Sequence, residues 1–317
     1  YIIFFFVLFL SKAIAEPTFV QSYTYPSANK FNEYGLTFNN DGTKMYIPAD
    51  NTPNQVGDYV KEYTLTTAYD ISTATVTATK VIYLAGTHEN VRTVLPTQVV
   101  FNNDGTKMFI VQHVGTDATP YVDYWSLSTA FDIGSTVTLE GRYNISQEIR
   151  ANSIAFNNDG TRMIIAGVGN HLAEQDRIHE YSLTTAFDLS STVTHLNTEE
   201  MSSFHSYLDG ITFNHDGTKM YTIDSTDDKI SQFKLTTPYD VSTLSLEGTF
   251  DVSSVDEDPR QITFSHDGSK MFFIGNTSSK VHEFNLSCNW SVIDGACDDP
   301  ADTSDEGKDI SSSIESQ

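Results

Sequence analysis

Hydrophobic and polar positions alternate along this chain in short runs broken by Asn, Asp, Gly and Ser. The stretch GLTFNNDGTKMYI, from Gly35, shows the pattern once: an alternating apolar run, a break at Asn-Asp-Gly, then a second apolar run. Alternating β-branched, aromatic and aliphatic residues predict strands at Leu36–Phe38 and Met45–Ile47. Asn-Asp-Gly between them predicts a tight hairpin, with Gly taking the positive φ. The pattern returns as QVVFNNDGTKMFI from Gln98, SIAFNNDGTRMII from Ser153, GITFNHDGTKMYT from Gly210 and QITFSHDGSKMFF from Gln261. The Asp residues of the five turns, Asp41, Asp104, Asp159, Asp216 and Asp267, lie 63, 55, 57 and 51 residues apart. No stretch carries a helical period.

A second block follows each hairpin: EYTLTTAYDIS from Glu62, YWSLSTAFDIG from Tyr124, EYSLTTAFDLS from Glu180 and QFKLTTPYDVS from Gln232. It predicts a third strand (Lys61–Leu65 in the first copy) and a turn at Tyr69-Asp70-Ile71-Ser72 that the Asp side chain caps. A fourth strand, Val76–Leu84 in the first copy, should follow. Four strands per period is a propeller blade. The fifth copy is cut short, since EFNLS from Glu283 runs into Cys288. Its missing strand has a candidate at the other end of the chain, Thr18–Tyr25. The expected fold is therefore all-β: a five-bladed β-propeller of four antiparallel strands per blade, closed by the N-terminal strand pairing with the last blade. Met45, Met108, Met163, Met220 and Met271 share one repeat position and are expected in the core rather than in a metal-binding ring.

The ends carry other signals. Ile2 to Leu10 form an apolar run followed by Ala13-Ile14-Ala15, the pattern of a signal peptide cleaved after Ala15. The run falls short of the ~20 residues that a membrane-spanning helix needs. The initiating Met and a basic leader are missing, so a fragment is expected at this end. Cys288 and Cys297 are close together, and in an exported chain they read as a disulfide. The expected division is 1–15 signal peptide, 16–287 propeller, and 288–317 disulfide loop and acidic disordered tail. Export would place the protein in the periplasm or at the cell surface.

Charge narrows the partners. The 18 basic residues face 42 acidic ones, a net charge of −24. Such a surface repels nucleic acid and anionic membranes, which are bound through clustered Lys and Arg. A monomer binding a small molecule, a glycan or a protein is expected.

The hairpin F-N-x-D-G-[TS]-[KR]-M-[YF] resembles the "SPDG" hairpin of bacterial secreted propeller repeats: the YVTN family, WD40-like periplasmic propellers and lactonase-like propellers. The resemblance spans about residues 17 to 287 and implies the fold. Such families are mostly ligand- or protein-binding platforms, and some are enzymes; their blade count is usually six to eight. The matched residues are turn and core residues, so no functional residue is implied. The tail DDPADTSDEGKDISSSIESQ looks like the spacer of large Gram-negative surface proteins, which implies a chain that continues beyond it.

Propeller ligands are expected at the mouth built by loops entering the innermost strand and by loops joining the second and third strands. Glu33, Asp50, His113, Arg150, His171, Asp209, Asp224 and Arg260 are the candidate ligand-binding residues there, with Glu174, Asp176 and Asp258 nearby. The NDG and YDIS turns lie on the opposite face and read as structural; His215 and His266, which replace Asn in two of them, read as exposed turn residues. A glycosidase would pair carboxylates such as Glu33, Asp209 and Asp224. A lactonase would want a metal or His-acid set, for which His113 and His171 are candidates without ligand-spaced partners. No Cys-x-x-Cys-His haem signature is present. No cofactor is required by any motif; calcium is the metal to consider, at Asp224, Asp227 and Asp228, although the spacing departs from an EF-hand. The sequons at Asn144, Asn276, Asn285 and Asn289 matter only in a glycosylating source.

Overall fold

A computed structural model describes residues 16–25, 34–49, 58–82, 94–114, 119–147, 150–168 and 175–293. After β1 (Thr18–Thr24), the first blade is β2 (Thr37–Phe38), β3 (Lys44–Ala49), β4 (Asp58–Leu65) and β5 (Ala74–Ile82). The second is β6 (Val94–Phe101), β7 (Lys107–Val114), β8 (Tyr121–Leu127) and β9 (Val137–Asn144). The third is β10 (Ala151–Phe156), β11 (Arg162–Gly167), β12 (Arg177–Leu183) and β13 (Val193–Glu200). The fourth is β14 (Leu208–Phe213), β15 (Lys219–Asp224), β16 (Lys229–Leu235) and β17 (Leu244–Asp251). The fifth is β18 (Pro259–Phe264), β19 (Lys270–Gly275) and β20 (Lys280–Asn285), completed by β1 in the order β1-β20-β19-β18. The chain is a five-bladed β-propeller of four-stranded antiparallel blades. No helix among the described residues is long and apolar enough to cross a membrane.

The repeated turns form for local reasons. In the first hairpin Asp41 Oδ1 accepts from Thr43 N at 2.9 Å, and Asn39 Oδ1 accepts from Lys44 N at 2.8 Å. Gly42 takes φ +70, and a Cβ there would lie 2.3 Å from the Tyr69 ring. Tyr69, Phe131, Phe187, Tyr239 and Trp290 all sit at left-handed φ of 52–59°. That conformation costs an aromatic about 1–3 kcal/mol. Packing of the ring on the hairpin glycine offsets it.

Trp290 shows that the fifth copy is disguised rather than cut short. Leu286-Ser-Cys-Asn-Trp290-Ser-Val292 aligns position by position with Leu65-Thr-Thr-Ala-Tyr69-Asp-Ile71. Trp290 packs on Phe264 at 5.2 Å, and Val292 is fully buried. Blade packing thus continues through Ile293, past the expected boundary at 287. The five repeat methionines are all fully buried, as the sequence predicts.

Adjacent blades are joined by one recurring device. Lys44 Nζ donates to Phe131 O at 2.8 Å and pairs with Glu62 at 2.9 Å, while the other Glu62 oxygen accepts from Ile133 N at 3.1 Å. Lys270, Glu283, Tyr69 O and Ile71 N repeat it where the fifth blade meets the first. Arg162 and Glu180 pair in the third blade, with Val241 N donating to Glu180. In the fourth blade Gln232 accepts from Val292 N at 2.9 Å. Each carboxylate or amide is almost fully buried, and each satisfies a backbone N–H of the next blade.

Candidate functional site

The five innermost strands line a central channel, and their residues stack in rings along it. One ring, Gly35, Gln98, Ser153, Gly210 and Gln261, fills the middle. Ser153 Oγ donates to Gln98 Oε1 at 2.8 Å, Ile211 N donates to Ser153 Oγ at 3.0 Å, and Gln261 Nε2 reaches Ile211 O at 3.3 Å. The two glycines make room: a Cβ on Gly210 would lie 2.7 Å from Gln261 Oε1, and one on Gly35 2.7 Å from Thr97 O. This polar knot separates two mouths.

The first mouth carries the residues singled out in the sequence. Strands β6, β10, β14 and β18 each bulge just before the knot, between Pro96/Gln98, Ala151/Ser153, Leu208/Gly210 and Pro259/Gln261. A bulge re-aims its extra side chain. Here the extra residues are Thr97, Asn152, Asp209 and Arg260, with Tyr34 at the same sequence place in the first blade. They ladder around the ring: Thr97 Oγ1 to Ala151 O at 3.4 Å, Asn152 Nδ2 to Leu208 O at 3.0 Å, and Arg260 to Asp209 at 2.9 Å. Arg260 also pairs with Asp258 at 2.7 Å and lies over the rings of Tyr34 and Tyr207, 5.3 and 5.8 Å from their centroids. Arg150 bonds Tyr207 and sits near His113, which bonds Asn152.

Four of the predicted residues, His113, Arg150, Asp209 and Arg260, therefore converge in one network. Glu33, Asp50, His171 and Glu174 lie outside the described residues. Tyr34 and Tyr207 are not among the residues the sequence singles out, although their places beside the knot and before Asp209 are a usable signal. Asp224 stands apart. Its oxygens accept from the N–H groups of Ser206, Tyr207, Thr226 and Asp227, and His205 lies 3.6 Å away. Although burial opposes it, these bonds, His205 first, hold its carboxyl at about 2. Its place is the hairpin between β15 and β16, where Asp228 takes φ 53. Asp176 likewise accepts from Leu208 N at 3.1 Å. Among the described residues no three His, Cys, Asp or Glu side chains are grouped to hold a metal.

Burial pushes the Asp209 carboxyl up to about 7, against the pull of Arg260. Burial, helped by Arg150, pushes His113 down to about 4. The two act oppositely on stability. An Asp whose folded value lies above its unfolded ~3.9 stabilises below that value, and the contribution is lost as pH rises towards 7. A His whose folded value lies below its unfolded ~6.5 costs stability as pH falls from there towards 4. The Tm of Asp209→Asn relative to the native protein should therefore be most favourable to the variant at pH 8 and least favourable near pH 4, whatever constant cost the lost Arg260 pair adds. Thermal melts across that range check this, and a Tm difference independent of pH would refute it.

The second mouth opens on the NDG face, whose turns are expected from the sequence to be structural. A cavity of about 280 Å³ lies there. Its wall includes Thr37, Val100, Ala155, Thr212 and Thr263, with Phe and Asn residues above. Its rim is Asn40, Asn103, Asn158, His215 and His266. Asn40 Nδ2 donates to Asn103 O at 2.7 Å, Asn103 Nδ2 to Asn158 O at 2.6 Å, and Asn158 Nδ2 to His215 O. The exposed rings of His215 and His266 stand edge to face, 5.4 Å apart. No Asp, Glu, Lys or Arg lines this cavity among the described residues.

No family model matches the sequence, and no curated protein matches it. Solved structures do resemble the chain. A periplasmic gluconolactonase of Pseudomonas aeruginosa is 14% identical with a TM-score of 0.47, over 80% of this chain and 66% of that one. A protein of unknown function from Desulfotomaculum acetoxidans is 13% identical with a TM-score of 0.44, over 79% of this chain and 64% of that one. A β-propeller domain from Myceliophteria thermophila is 8% identical with a TM-score of 0.44, over 86% of this chain and all of that one. The chain thus spans under two thirds of the length of the first two. The likeness extends to the propeller fold, which the strand order of this chain establishes by itself.

Proposed function

We propose that this chain is an exported, non-catalytic binding module of the periplasm or cell surface. Its ligand is an uncharged, hydroxylated molecule, a glycan or a small polar metabolite, held in the cavity on the NDG face. One observation carries the reading. In a chain of net charge −24, the cavity on the NDG face is walled by Thr, Asn, His and aromatic side chains, with no charged group among its described lining. Amide and hydroxyl groups supply directed hydrogen bonds, and aromatic rings supply stacking area. In this reading Cys288, in the turn of the last blade, pairs with Cys297, which lies outside the described residues, and no metal is needed.

A second reading has its own support. A buried carboxyl near neutral pH beside an arginine is the environment of a general acid, and Asp209 has it. In that reading the first mouth belongs to a secreted glycosidase or lactonase. A glycan and metabolite binding array on residues 16–317, read together with hydrolysis of every hit, separates the two. The binding module predicts hits without turnover, lost in Ala155→Phe, which fills the cavity, and kept in Asp209→Asn. Turnover that disappears in Asp209→Asn would replace the first reading by the second.

A further inference from the structure

The device that joins the blades is broken at one junction. Where the second blade meets the third, the residue matching Glu62, Glu180, Gln232 and Glu283 is Tyr124. Lys107 keeps its first contact, donating to Phe187 O at 2.9 Å as Lys44 does to Phe131 O. Yet no carboxylate lies within ion-pair distance of Lys107 among the described residues. Leu189, the counterpart of Ile133 and Ile71, is buried, and no acceptor in the described chain takes its N–H. A buried N–H without a partner is uncommon and marks a place for an acceptor.

Tyr124 does not fill the gap. Its hydroxyl lies against Gly141 on the neighbouring strand, where a Cβ would be 2.2 Å away. Beside it is a cavity of about 240 Å³ lined by Lys107, Tyr124, Trp125, Ser126, Phe187, Asp188 and Ser190, with Glu140 at its exposed edge; Leu189 lies in the chain between the lining residues Asp188 and Ser190. Both nearby carboxylates are held by hydroxyls: Glu140 accepts from Ser126, and Asp188 from Ser190.

We propose that this socket binds a small monocarboxylic acid, whose carboxylate takes the place that glutamate occupies in blades one, three and five. One oxygen would accept from Lys107 Nζ and the other from Leu189 N, the two bonds made by Glu62. Phe187 and Tyr124 flank the organic part. Glu140 and Asp188 set the charge limit, since a second negative charge would face both of them. They also weaken the pull of the socket on any anion, since both carboxylates repel it. The site is distinct from both channel mouths and does not depend on what they bind.

The test is calorimetric titration of the whole chain with benzoate, and with benzamide as its uncharged counterpart. Saturable benzoate binding is expected, with benzamide at least about tenfold weaker. Lys107→Met should weaken benzoate by a similar factor. Tyr124→Glu restores the repeat, so it should abolish benzoate binding and raise Tm, whereas Ala155→Phe in the channel should leave benzoate binding unchanged. Absence of saturation, equal binding of benzamide, or undiminished benzoate binding by a folded Tyr124→Glu or Lys107→Met variant would each overturn the proposal.

Discussion

A chain lacking Thr18–Tyr25 should fail to fold as a soluble monomer. β1 supplies the outer strand of the last blade and pairs with β20 from Thr18↔Asn285 to Thr24↔Lys280. Without it, the backbone of β20 becomes an open edge, and an unpaired edge recruits other chains. The loss reaches the core as well. Tyr25 is 1% exposed and packs with Leu36, Met45, Phe272 and Ile274 at the seam between the last blade and the first. Tyr25→Ala alone should cost about 3–5 kcal/mol, as for other buried aromatics cut to Ala. Size-exclusion chromatography and thermal melts of the deletion give the answer. A monomeric peak with a cooperative transition close to that of the parent would contradict a ring that depends on this strand.

Glu283→Ala should produce the second-largest effect, about 3–5 kcal/mol, because it removes one partner of a buried charged network. Glu283 Oε1 pairs with Lys270 at 2.6 Å, while Oε2 accepts from Gln21 Nε2 at 2.7 Å and from Ile71 N at 3.4 Å. These bonds tie the last blade to β1 and to the first blade together. The alanine variant takes the carboxylate away from Lys270 and Gln21, which keep only Tyr69 O and Asp70 Oδ1, and leaves the Ile71 N–H without its acceptor. Glu283→Gln should cost far less, since Gln232 fills the same position in the fourth blade and still accepts from Val292 N. Urea unfolding of the three proteins measures the difference. An alanine variant within about 1 kcal/mol of the parent would mean that water replaces the carboxylate without penalty.

The two variants bear on closure from opposite sides, one through the strand and one through the side chains that bridge the seam. Their effects should not add, because Gln21 belongs to β1 and bonds Glu283.

Much of this architecture was legible in the residues. The five NDG hairpins, the four-strand period and the need for a closing N-terminal strand follow from apolar alternation and turn chemistry, both of which act over a few residues. The candidates at the entering loops were legible for the same reason, because their places before each innermost strand are set by the repeat. The disguised turn at Trp290 was missed, since only the aromatic and the buried Val292 survive from the motif, and their roles depend on the blade beside them. The third strand also begins at Asp58 rather than Lys61, because pairing with β3 and β5 decides its length.

Local sequence determined the blades, their number and their order of closure, because turn propensity and strand alternation are properties of neighbouring residues. Only the tertiary structure decided what the channel and the junctions do. The knot of Gln98, Ser153 and Gln261 joins residues more than fifty positions apart, the neutral cavity is assembled from five blades, and the empty place beside Tyr124 is visible only against the glutamates of other junctions. Such features arise when distant side chains share one enclosed space, where each buried polar group must find a partner or leave a site for one.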